Sequence, residues 1–122
     1  MNNEENARDK TTRDNNDIRF AIKARSDDSI AAEVIYGHIS EWNTSLVTDM
    51  NELFAGKTIF NDDISKWDVS NVTCMTCMFS DCFKFDCDLS KWNVSKVTDM
   101  TYMFNDSHEF HDDMSLIGMS VV

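Results

Sequence analysis

The sequence predicts an α/β repeat fold: a short solenoid of three 25-residue coils plus a partial fourth, behind an N-terminal helical cap. Three observations predict it. First, Trp42, Trp67 and Trp92 recur at a step of 25 residues. Val47, Val72 and Val97 keep that step, as do Met50, Met75 and Met100, Phe54, Phe79 and Phe104, and Phe60, Phe85 and Phe110. Second, residues 64–88 and 89–113 are identical at 14 of 25 positions. Third, the apolar period changes inside each unit. "ISKWDVS" alternates, as a strand does, whereas "VTCMTCMF" spaces Val72, Met75, Met78 and Phe79 as a short helix would.

The elements follow in chain order. Residues 1–16 are polar, charged and without period, and are expected as a disordered tail. Residues 17–38 hold two short amphipathic segments. Ile18, Ala21 and Ile22 share one face of the first; the second opens at Ser26 or Asp27 and stops at Gly37. Together they are expected to cap the first coil, whose apolar face would otherwise be open. The coils occupy 39–63, 64–88 and 89–113, and "MSLIGMSVV", residues 114–122, aligns on "LSKWNVSKV" as the partial fourth. In each coil Thr48, Thr73 or Thr98 is placed to cap the helical turn, with Asp49 and Asp99 next to it where a negative charge suits the helix dipole.

The chain of 122 residues carries a net charge of −11, with no proline and three glycines. Multiple tight hairpins would need more of both turn residues. The acidity argues against nucleic acid and anionic membrane surfaces, both of which are gripped by Lys and Arg. It suits a basic protein partner. "MNNEENARDKTTRDNND" lacks the apolar stretch of a secretory signal, and no run reaches a membrane span. The expected location is therefore inside a cell or a virion rather than anchored at a cell surface.

The stretch "ISEWNTSLVTDMNELFAGKTIFNDDISKWDVSNVT" resembles the BspA-like surface-protein repeats of the "WDVSNVTDMSYMF" type, and "IRFAIKA" with "YGHISEW" resembles the lead-in of that family. The resemblance covers roughly residues 17–122. It implies a leucine-rich-repeat-like solenoid used for adhesion or protein contact, with no enzymatic activity.

Chemistry-bearing residues are few. Cys74, Cys77, Cys82 and Cys87 all fall in one unit. Only one CxxC is present, Cys74 and Cys87 replace outward-facing aspartates of the other units, and Cys82 is expected to be packed. Reduced thiols are the expected state. Zinc at Cys74, Cys77 and Cys87, or a Cys74–Cys77 disulfide, are the alternatives. The column Asp63, Asp88 and Asp113 is expected to face water or cap backbone N–H groups rather than hold calcium. The tryptophans are expected as core. His38, His108 and His111 have no nucleophile beside them, so no catalytic triad is implied. No cofactor and no catalytic residue is expected.

Two functions remain. One is a non-enzymatic protein-interaction or adhesion module presenting a rigid acidic surface. The other is a structural subunit of a large assembly, such as a virus capsid, docked through the polar tail and the C-terminal end. There Met114, Leu116, Ile117, Val121 and Val122 are the expected partner contacts, because an uncapped apolar end invites another chain.

Overall fold

The computed structural model describes residues 9–110. Helix α1 runs Ile18–Asp27, helix α2 runs Ser29–Tyr36, and a 3-10 turn follows at Ile39–Glu41. Among the described residues there is no strand, only isolated parallel bridges pairing Thr12 with Asn43, Asp49 with Cys74, and Cys74 with Asp99. This overturns the α/β class. The chain is not a leucine-rich-repeat-like solenoid of strand and helix.

The reason is local. In the expected strand, Asp63 accepts the backbone N–H of Ser65 at 3.0 Å and Asp68 that of Ser70 at 3.0 Å. Each carboxylate thus closes an Asx turn, an alternative the backbone takes in place of a ladder. Backbone turns follow at once, Trp67 N–H to Ile64 C=O and Val72 N–H to Val69 C=O. The alternation that reads as strand is therefore an Asp-x-Ser turn written twice. In the expected helix Cys77 sits at φ 55°, and Asp81, just after it, at 58°. A right-handed helix cannot pass through left-handed residues, so the segment becomes linked turns, Met78 to Met75, Ser80 to Cys77 and Cys82 to Phe79. Glu52 and Gly56, and Tyr102 and Asp106, repeat the positive φ one unit earlier and one unit later.

The turn units stack, and the 25-residue step reappears as hydrogen bonds. Met50, Glu52, Phe54 and Gly56 donate their N–H to the carbonyls of Cys74, Thr76, Met78 and Ser80. Met75, Cys77, Phe79 and Asp81 donate likewise to Asp99, Thr101, Met103 and Asn105. Between these rows the apolar columns meet. Phe54 stacks on Phe79 at 5.6 Å and Phe79 on Phe104 at 5.4 Å; Phe60 stacks on Phe85 at 5.7 Å and Phe85 on Phe110 at 5.8 Å. One core runs from Ile18 to Met103.

At the N-terminal end, α1 adds Ile18, Ala21 and Ile22 to that core. Asp28 caps α2 by accepting the Ala31 N–H, and the helix ends at Gly37, φ 77°. A Cβ at Gly37 would lie 2.7 Å from the Thr11 methyl, so glycine is needed there for space as well as for φ. Residues 9–16 are not a loose tail. Arg13 N–H donates to Asn43 C=O, Asn43 N–H donates to Thr11 C=O, and Arg13 is buried. Its guanidinium lies 4.9 Å from the Tyr36 ring centre and 5.2 Å from that of Trp42.

Candidate functional site

Helix α2 buries only Ala32. Ile30, 78% exposed, and Val34, 74% exposed, stand one turn apart, with Ile35 beside them and also in solvent. Phe20 on α1 and Ile59 on the first unit are exposed as well. Asp27, Asp28 and Glu33 lie on or next to α2. The neighbouring cations are engaged, Lys23 with Asp27 at 2.8 Å and Arg25 with Asp62 at 2.5 Å. Between α1 and the first unit lies a cleft of about 370 Å³, with Ile22, Phe54, Ile59 and Phe60 on its apolar side and Arg25 and Asp62 on its polar side. The sequence signal for the exposed face was present: α2 has one charged residue in eight, so a single buried stripe cannot absorb its apolar side chains.

The other candidates are placed as follows. None of the four cysteines forms a disulfide; Cys82 and Cys87 are buried, Cys74 and Cys77 half-buried. Cys82 Sγ donates to Phe54 C=O at 2.9 Å, and burial pushes its thiol up to about 12. Cys74 lies 3.4 Å from the Thr76 hydroxyl and Cys87 3.8 Å from Asp63. Among the described residues no three His, Cys, Asp or Glu side chains gather to hold a metal ion. The structure therefore does not bring Cys74, Cys77 and Cys87 together as a zinc set. Asp63 and Asp88 serve their own turns, accepting from Ser65 and Ser90, and those bonds hold both carboxyls below their ordinary value. The tryptophans are core. Each indole N–H donates to an earlier carbonyl: Trp42 to Gly37, Trp67 to Ile39 and Trp92 to Ile64. His38 accepts the Ser40 N–H, and His108 stacks on Phe83 at 5.7 Å. Asp113, His111 and the expected contacts Met114, Leu116, Ile117, Val121 and Val122 lie outside the described residues. Among the described residues no helix is long and apolar enough to cross a membrane.

No curated protein and no solved structure matches the chain. One family model does match, that of the Mycoplasma protein of unknown function, DUF285, over residues 26–122. The match begins at the end of α1 and takes in every repeat unit, well over half of the chain. This family is related to the BspA-like surface-repeat proteins. The chain belongs to the DUF285 family.

Proposed function

We propose that the protein is a non-enzymatic interaction module that binds another protein through the exposed apolar face of α2 and its acidic rim. One observation supports this most directly: Ile30, Val34 and Ile35 project into solvent from a helix that is otherwise anchored to the core through α1. Contiguous exposed apolar surface with a polar border is typical of contact sites. A net charge of −11 favours a partner with basic residues around an apolar anchor. The test is quantitative capture from the source proteome with the wild-type chain and with Ile30→Asp/Val34→Asp. A protein enriched on the wild type and lost on the folded variant supports the reading. Identical capture profiles overturn it.

A second reading is that the chain is an integral part of a larger assembly. It is favoured by the third unit, where Val97, Met100, Phe104 and Phe110 remain half-exposed although their counterparts in the first two units are buried.

A further inference from the structure

Two positions of the first unit break the repeat, and both line the cleft beside α1. The first is Lys57. Its counterparts one and two steps on are Cys82 and Ser107, small and buried. Cys82 Sγ donates to Phe54 C=O at 2.9 Å, and the Ser107 hydroxyl donates to Phe79 C=O. This column therefore plugs onto the unit before it. The second position is Ile59, whose counterparts Lys84 and Glu109 pair with each other in solvent at 3.2 Å. The first unit reverses both characters. It has a cation where the others pack a small side chain, and an isoleucine, 85% exposed, where they carry charge. Stacking on another unit explains neither exchange, because α1 stands where a preceding unit would.

Charge narrows what can occupy the cleft. Its lining holds two cations, Arg25 and Lys57, against one carboxylate, Asp62, in a chain of net charge −11. Arg25 and Asp62 hold each other at 2.5 Å. Lys57 is half-buried, and among the described residues its ammonium has no hydrogen bond and no ion pair. Asp27 feels its charge but is taken by Lys23 at 2.8 Å. The floor is Ile22, Phe54 and Phe60, all buried, with Ile59 at the rim. A half-buried cation without a partner beside an apolar floor fits an anion with an apolar body. The volume of about 370 Å³ is at the small end of ligand sites, about 300–1,000 Å³, and suits a short tail rather than a long-chain lipid.

We propose that this cleft is a binding site for a small amphipathic carboxylate, a short apolar acid. The carboxylate pairs with Lys57 Nζ, and the tail lies on Phe54 and Phe60 and covers Ile59. Affinity comes from the apolar surface taken out of water, and the choice of a negative head comes from Lys57. The site goes beyond the contact face of α2 and does not rest on it, since Ile30 and Val34 take no part in the cleft.

The experiment is a titration of the isotope-labelled full chain, followed by nuclear magnetic resonance, with octanoate as the probe. Because the full chain is used, a cleft filled by the chain itself gives no binding and overturns the proposal. Octanol and octylammonium keep the tail and change the head. The expected result is saturable shifts at the Ile59 methyls and at Lys57, with octanol and octylammonium each bound about tenfold or more weakly. The overall acidity favours octylammonium, so a preference for octanoate reports the local cation. Lys57→Gln should weaken octanoate by about tenfold, and Lys57→Arg should keep most of the affinity. Four results overturn the proposal: no saturable shift, equal binding of the three head groups, unchanged binding to Lys57→Gln, or shifts no larger at Ile59 than at Ile30. The indole N–H signals of Trp42, Trp67 and Trp92, each bonded in the core, report whether a variant is folded. If a variant does not fold, the head-group comparison on the wild-type chain decides. Capture that depends on Ile30 and Val34 is measured apart, so either proposal can fail while the other stands.

Discussion

Asp68 Oδ1 accepts both the backbone N–H of Ser70, at 3.0 Å, and its hydroxyl, at 2.6 Å. Those two bonds hold its carboxyl below the ordinary value near 3.8. A carboxylate depressed in the folded state contributes stability above its unfolded value and loses it as pH falls through the folded one. Asp63, Asp88 and Asp99 are depressed by the same kind of turn. The urea midpoint should therefore fall as pH drops below about 3.8, and Asp68→Asn, which keeps an acceptor but no charge, should flatten that fall. Asp68→Ala should cost about 1 kcal/mol at neutral pH, the scale of one exposed turn. A pH profile that Asp68→Asn leaves unchanged would count against this. Arg13 acts differently, as a buried cation between two rings. Arg13→Ala should lose about 2 kcal/mol in urea unfolding and shift Trp42 emission; a near-neutral effect would mean that residues 9–16 do not hold the first unit.

Each turn unit depends on residues with positive φ. The column of Gly56, Asp81 and Asp106 carries glycine once. Asp81→Gly removes a left-handed strain of roughly 1 kcal/mol and adds chain entropy of similar size in the unfolded state. It should be neutral to slightly stabilising. Cys77→Val, with a β-branched side chain at φ 55°, should destabilise by more than about 1 kcal/mol. A tolerated valine there would argue that the linked turns do not persist in solution. Packing follows the same columns. Phe79 touches Phe54, Phe85 and Phe104, so Phe79→Ala should cost about 3–5 kcal/mol. Phe104→Ala, on the half-covered third unit, should cost clearly less in the same denaturation assay.

The molecule as a whole is acidic, and charge of one sign crowds its surface. Self-repulsion weakens the compact state until salt screens it. The melting temperature should rise between about 10 mM and 500 mM sodium chloride. A flat response would mean that the local Asp–Ser turns and the ion pairs of Lys23 and Arg25 already balance the field. At this scale the N-terminal end of the described stack is closed by α1, which adds Ile18, Ala21 and Ile22 to the core.

Much was legible in the sequence. The 25-residue step, the burial of Trp42, Trp67 and Trp92 and the apolar columns of Val, Met and Phe follow from repetition alone, because residues in the same phase of a stack meet the same surroundings. Secondary structure was not legible in the same way. "ISKWDVS" has the period of a strand and "VTCMTCMF" the spacing of a helix, but both are decided by the Asp carboxylates that close turns and by left-handed backbone at Cys77 and Asp81. Period reports which side chains are buried, and turns can bury the same ones. Only the tertiary structure brought Arg13 between Tyr36 and Trp42, left Ile30 and Val34 uncovered, and gave the rows of N–H groups one direction. Each of these depends on which segment lies against which, a relation between distant residues that a local pattern does not encode.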